Sequence, residues 1–162
     1  MSVRRAEARD ASALAAIWNH YIRDTTVTFT TDEKSVGEVA EYIAARQTGG
    51  TCVFVAEAGS DLTGFAAASS FRSGPGYAGT LETTVMLAEG ASGGGLGRAL
   101  MVAVEGHARA HAMRALVAGI SGDNEAAVGF HAALGFDEVG RMPGVGRKFD
   151  RWLDLVLMQK TL

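Results

Sequence analysis

The stretch EGASGGGLGRALM (89–101) constrains this chain more than any other. Gly90, Gly93, Gly94, Gly95 and Gly97 crowd into it, the apolar run TLETTVMLA (80–88) enters it, and a helix-like amphipathic run leaves it. A linker reading needs an independent core on each side. A strand running straight in and a helix running straight out favour a functional loop instead. The first turn of a helix carries backbone N–H groups with no internal partner, and the helix dipole adds partial positive charge there. Glycines ahead of that turn let a polyanion approach without meeting a Cβ. The expected ligand is a phosphate or pyrophosphate held by backbone.

The rest of the chain narrows the setting. Its 162 residues suit one domain spanning 1–162, with 48% apolar and 20% charged residues. A net charge of −3 argues against a nucleic-acid or membrane-surface partner. Cys52 is the only cysteine. No internal disulfide or multi-thiolate metal site can therefore form, and the apolar surroundings TCVFVAEA read as core. His107 and His111 are four apart, a metal-compatible spacing, but no third ligand accompanies them, and no metal is expected. The N-terminus MSVRRAEARDAS lacks an apolar run for secretion, and no run of about 18 apolar residues occurs. The expectation is a cytoplasmic protein.

Periodicity orders the elements. SVRRAE reads as a strand; DASALAAIWNHYIRD as a helix with Asp10 as N-cap and Leu14, Ile17, Trp18, Tyr21 and Ile22 inward. TTVTFTT (25–31) is β-branched and reads as extended. SVGEVAEYIAARQ opens on a capping box, Ser35 with Glu38, and is expected to bury Val36, Val39, Ala40 and Ile43. TCVFVAEA and LTGFAAASSF flank the turn GSD as a hairpin. After the loop 72–79 come strand 80–88, a helix over 96–112, strand 114–120, a helix over 124–134, and strands at 137–142 and 151–159. This order predicts one α/β domain with a largely antiparallel mixed sheet and helices on both faces.

Three phosphate loops compete for residues 89–101. The nucleotide-kinase loop needs Gly-Lys-Ser/Thr, and no lysine occurs between Lys34 and Lys148. The G-x-G-x-x-G pattern fails, ending on Arg98 from Gly93 and on Leu100 from Gly95. The pattern Gln/Arg-x-x-Gly-x-Gly/Ala fits over 92–97, except that Ser92 stands at its first position. With this loop, the stretches IWNHYIRDTTVTF, FRSGPGYAGTLETTVML, SGDNEAAVGFHAALGFDEVG and GVGRKFDRWLDLVLMQ make the chain resemble the GCN5-related N-acetyltransferases. Within them it is similar to the phosphinothricin and methionine-sulfoximine acetyltransferases over almost its full length.

The resemblance implies the acyl-CoA N-acyltransferase fold, a sheet splayed at its middle, acetyl-CoA as co-substrate, a small amine acceptor and a homodimer. It implies that the backbone of Val85, Met86 and Leu87 pairs with the pantetheine arm. The N–H groups of Gly93, Gly94, Gly95, Leu96, Gly97 and Arg98 would hold the pyrophosphate, and Asn124 would bond the cofactor arm. Glu82 falls at the position of a general base and His131 near the cofactor sulfur. Phe29, Arg72 and Lys148 fall near the acceptor. Where relatives commonly place a second arginine soon after Arg72, SGPG follows here.

The chemistry asks for such groups. An ammonium ion has no lone pair, so a carboxylate such as Glu82 must take its proton before nitrogen can attack a thioester. A backbone N–H can stabilise the oxyanion. A histidine near its ordinary pKa can return a proton to the leaving thiolate. His131 reads equally as that donor or as a packed helix residue, and Asn124 also reads as a helix N-cap. Arg72 could pair with an acidic group or stand solvated in its loop, and the basic GRKF (146–149) reads as a turn or as the acceptor border. Two other readings stay open: an acetyltransferase for a protein N-terminus or an aminoglycoside, and a non-catalytic acyl-CoA sensor.

Overall fold

The computed structural model, which describes residues 1–162, forms one seven-stranded sheet in the order β1-β2-β3-β4-β5-β7-β6. The strands are β1 (Ser2–Arg5), β2 (Cys52–Ala58), β3 (Asp61–Ser70), β4 (Thr80–Leu87), β5 (Ala115–Ser121), β6 (Asp137–Lys148) and β7 (Arg151–Thr161). Every neighbouring pair is antiparallel except β4 and β5. Helices α1 (Ala11–Asp24) and α2 (Val36–Ala44) cover one face, around Leu14, Ile22, Val39, Ile43, Phe65 and Met86. Helix α3 (Leu96–Ala110) covers the other, around Leu100, Val104, Leu116, Val156 and Met158, with α4 (Glu125–Ala133) packed beside it. The expected mixed α/β layering is present. No helix is long and apolar enough to cross a membrane.

The feature that positions the site is a split at the centre of the sheet. β4 and β5 pair in parallel only from Thr80↔Ala115 to Thr83↔Ala118. Beyond that, Thr84–Leu87 stay on β3 while Gly119–Ser121 stay on β7. A V-shaped gap opens between them, its edges lined by backbone groups with no strand to pair with.

Local details depart from the sequence reading for identifiable reasons. Residues 25–31 form no strand. They pass between α1 and α2 as a loop, because no neighbouring strand offers β-branched residues a ladder. Asp10 precedes α1 but its carboxylate does not cap it. It accepts from Arg4 at 2.8 and 2.9 Å and from the Glu7 amide at 2.7 Å, inside a short 3₁₀ turn. The Ser35/Glu38 capping box forms as expected, although Val36 is exposed because it lies in the first turn. Helix α3 stops at Ala110, where Ala112 turns left-handed (φ 55°). β6 runs six residues past the expected 142 to Lys148, since a bulge between Met142 and Gly146 takes up Pro143 and Gly144 without ending the strand. The reversal falls instead at Phe149 and Asp150, both left-handed (φ 51° and 57°).

Candidate active site

A cavity of about 760 Å³ occupies the split and reaches both faces of the sheet. Its α3 side is the glycine loop. Gly93 (φ 89°) and Gly95 (φ 79°) adopt left-handed backbone, Gly95 as the N-cap of α3. An L-residue with a Cβ disfavours that conformation, so these two glycines let the chain turn into the helix. The N–H groups of Leu96, Gly97 and Arg98, in the first helical turn, have no carbonyl one turn back. Gly97 is buried against Phe130, and a Cβ there would lie 3.2 Å from its ring. The loop thus presents bare backbone donors at the positive end of a 15-residue helix. Ser92, Gly93, Gly95, Leu96, Gly97 and Arg98 line the cavity, whereas Gly94 does not. Arg98 spends one donor on the Ala133 carbonyl, 3.4 Å away, bridging α3 to the end of α4.

The edge of β4 narrows the expected backbone partners. The Phe71 amide bonds the Thr80 carbonyl and the Ala88 amide bonds the Thr63 carbonyl. With unbroken β3–β4 register, even-numbered residues of β4 turn their backbone to β3 and odd-numbered residues turn theirs to the gap. Met86 therefore lines the cavity by its side chain while its backbone faces β3, which corrects the expectation for its amide. Val85 and Leu87 face the gap. The Leu87 carbonyl already accepts from the Tyr21 hydroxyl at 2.7 Å. Burial raises the Tyr21 pKa, so the phenol keeps the proton that this bond uses.

Helix α4 supplies the opposite wall. Asn124 caps it, its Oδ1 accepting from the Ala127 amide at 3.1 Å, which leaves Nδ2 free to donate to a ligand in the cavity. His131 is buried and stands edge-on to Phe130 and Phe136 at 5.2 Å from each. Its Nδ1 lies 2.8 Å from the Ala127 carbonyl, which only accepts, so Nδ1 carries the proton. Burial lowers its pKa, with that hydrogen bond opposing. Nε2 of a neutral His131 therefore carries a lone pair rather than a proton, which favours the packed-residue reading over the proton-donor reading.

On the α1/α2 side the cavity wall comprises Trp18, Tyr21, Val27, Thr28, Phe29, Thr30 and Lys34. Asn19 grips the backbone of Lys34 at both amide and carbonyl, each at 2.8 Å, and Lys34 Nζ sits 4.6 Å over the Trp18 ring. Phe29 lines this end as expected. Its ring occupies the space above Gly146 of β6, where a Cβ would lie 2.3 Å from Cδ2. Lys148 does not reach the cavity. It is buried, with Nζ 2.8 Å from the Thr28 carbonyl and 3.4 Å from the Tyr21 carbonyl, so it ties the 25–30 loop to β6. Burial lowers its pKa. Arg72 is also outside the cavity, exposed and 5.3 Å over the ring of Phe71.

Glu82 lies on the same face. It is exposed and sits at the rim: its Oε1 is 3.3 Å from where a Cβ on Gly119 would be, and Gly119 lines the cavity. Any larger residue at 119 would crowd the carboxylate. The Glu82 carboxylate makes no hydrogen bond within the chain, and Glu82 stands directly across from Ser69 of β3. Cys52 is buried in β2, its thiol pushed up to about 11 by burial, and is unsuited to carry an acyl group. No group of three or more candidate metal ligands exists; the rings of His107 and His111 stack at 4.2 Å, and His107 Nε2 bonds the Gly49 carbonyl.

Trp18, Tyr21, Lys34, Gly119 and Phe130 escaped the sequence reading as site residues. Trp18 and Tyr21 were visible only as an inward helix face, because nothing in their spacing shows that α1 crosses the gap.

A split β4/β5 pair with a glycine-rich amide cradle at one mouth and a carboxylate at the other defines an acetyltransferase of the GNAT type. A family model described as "Acetyltransferase (GNAT) domain" matches residues 3–157, and the chain belongs to that family. It is 35% identical over 162 residues to the L-methionine sulfoximine/L-methionine sulfone acetyltransferase of Pseudomonas paraeruginosa, covering 99% of this chain and 94% of that protein. The structure of a phosphinothricin acetyltransferase from Sinorhizobium meliloti in complex with acetyl-CoA superposes with a TM-score of 0.95 at 30% identity, over 99% of this chain and 88% of that one. A ribosomal-protein-alanine N-acetyltransferase from Brucella melitensis superposes with a TM-score of 0.96 at 34% identity, over the whole of both chains.

Proposed function

We propose that this protein transfers the acetyl group of acetyl-CoA to the amine of a small amino-acid-like acceptor of the methionine sulfone, methionine sulfoximine or phosphinothricin kind. The observation that carries this reading is the single cavity joining the amide cradle to the wall of α1 and the 25–30 loop, with Glu82 at its rim. The cradle fits a pyrophosphate, since its donors are backbone and its glycines leave the approach clear.

Val85 and Leu87 on β4 and Asn124 Nδ2 on α4 line the gap as hydrogen-bonding partners for an extended amide-bearing arm. Bound acetyl-CoA supplies a thioester-activated acetyl group. Glu82 takes the proton of the acceptor ammonium, directly or through one water, and frees the nitrogen lone pair. The nitrogen then attacks the acyl carbon, gives up its second proton to solvent as the carbon–sulfur bond breaks, and the thiolate leaves with a proton from solvent. The Val85 N–H, turned into the gap, is placed to stabilise the oxyanion. No acyl-enzyme forms on Cys52.

Two further parts of the reading concern assembly and place. The edge hairpin β6–β7 exposes Val139, Met142, Val145, Phe149 and Trp152, a surface suited to a second copy of the chain in a homodimer. A cytoplasmic location agrees with a single buried, unpaired cysteine. The test is thiol release from acetyl-CoA in the presence of an amine panel. Release with methionine sulfone, methionine sulfoximine or phosphinothricin is expected. Tight acetyl-CoA binding with no amine-dependent release would replace this reading with a sensor domain, and release only with peptides or aminoglycosides would move the acceptor class.

A further inference from the structure

The acceptor proposed above carries an acidic group beside its amine, yet neither Arg72 nor Lys148 lies in the cavity. Lys34, which does line it, sits over the Trp18 ring at the α1 wall, whereas Arg46, outside the cavity wall like Glu82 itself, bonds the residue paired with Glu82 across the sheet. Arg46 follows α2, is half-buried, and is fixed from three sides. Its Nε bonds Ser69 Oγ at 2.7 Å, its Nη1 bonds the Tyr42 carbonyl at 3.0 Å, and its Cζ lies 3.4 Å over the Tyr42 ring. All three partners are neutral. Arg46 forms an ion pair with no carboxylate; Arg5, Arg72, Arg98 and Arg114 share that lack, but of these five only Arg46 bonds the residue paired with Glu82. Its backbone is held too, the carbonyl accepting from Arg5 Nη2 at 3.1 Å.

Ser69 is the residue directly across the β3–β4 ladder from Glu82. Side chains so paired share a face with Cβ atoms about 5 Å apart. The charge of Glu82 and that of Arg46 both reach the Tyr42 phenol, whose pKa burial raises. A fixed guanidinium without an anion and a carboxylate without a cation therefore stand on one face, linked through Ser69, and form no ion pair with each other.

We infer that Arg46 and Glu82 form a zwitterion clamp, with Glu82 receiving the α-ammonium of the acceptor and the free Nη donors of Arg46 receiving its α-carboxylate. The inference rests on the proposed function and specifies its substrate class: free α-amino acids, in which the two charged groups share one carbon. A peptide N-terminus or an aminoglycoside carries no carboxylate next to its amine and leaves Arg46 unmatched. The planar fork of arginine suits a carboxylate in two contacts, and holding it on Tyr42 and Ser69 fixes the fork before substrate arrives.

The test compares methionine sulfone with its carboxamide, which keeps the amine and loses the charge. In the wild-type protein, kcat/KM for the acid should exceed that for the amide by about tenfold or more. Arg46→Gln should lower kcat/KM for the acid at least about tenfold more than for the amide, and Arg46→Lys should recover part of it. The KM for acetyl-CoA should stay within about twofold, which separates a local loss from misfolding. Equal losses for acid and amide in Arg46→Gln, or no wild-type preference for the acid, would overturn the clamp and leave the amine acetyltransferase standing. Transfer to neither compound nor to any other amine would overturn the proposed function itself.

Discussion

Replacing Gly146 with alanine should damage the acceptor end of the site while sparing the cofactor end. The new methyl carbon would lie 2.3, 2.5 and 2.8 Å from Cδ2, Cε2 and Cγ of Phe29. Carbon atoms in contact prefer about 3.5–4.0 Å, so the overlap exceeds about 1 Å. Because Cγ is among the clashing atoms, spinning the ring about its own axis gives no relief. Either Phe29 changes its χ1 rotamer or the 25–30 loop moves, and Lys148 resists the second by holding the Thr28 carbonyl at 2.8 Å. Overpacking of this kind costs about 1–3 kcal/mol. If the strained ring turns into the cavity, kcat/KM for the acceptor should fall about tenfold for each 1.4 kcal/mol lost from transition-state binding. Urea unfolding measures the first effect, and initial rates at varied acceptor and varied acetyl-CoA measure the second. The double variant Gly146→Ala/Phe29→Ala should show a favourable coupling energy, because removing the ring removes the clash. Unchanged stability and acceptor KM in Gly146→Ala, or no coupling with Phe29→Ala, would refute the packing argument.

Two other outcomes follow from the site's electrostatics. His131 has its pKa lowered, so the folded state disfavours its protonation; stability is full above the ordinary histidine value and falls as pH drops below it. His131→Phe should remove that component from a stability-versus-pH series, and an identical slope in the variant would show that another group is responsible. Ser92 is exposed and lines the cavity beside the amide cradle. Ser92→Arg should tighten coenzyme A binding by about fivefold, near 1 kcal/mol for one partly screened charge contact, and an unchanged Kd by calorimetry would show that the backbone already supplies the grip.

The glycine loop was the most legible part of the site because the role proposed for it rests on backbone, and missing Cβ atoms are visible as letters. The helix face of α1 and the Ser35/Glu38 box were legible for the same local reasons. What remained hidden depends on pairing across the sheet. That Met86 turns its amide to β3 while Val85 faces the gap follows from one register, which no sequence period encodes. Lys148 and Arg72 show a second limit: a basic residue near a motif looks the same whether its charge meets a ligand, a carbonyl or water. The length of β6 shows a third, since Pro143 and Gly144 signal a turn and a bulge alike. Arg46 lay at the end of a helix with no motif, and only the Ser69–Glu82 pairing gives it meaning.

Glu82 is the group proposed to free the acceptor nitrogen. The decisive measurement is the turnover of Glu82→Gln with a responsive acceptor, alongside its dissociation constant for acetyl-CoA. Turnover should fall by about 10²- to 10⁴-fold, with acetyl-CoA binding within about twofold of wild type. Turnover equal to wild type across about pH 6 to 9 would remove Glu82 from that role and contradict the account at its centre.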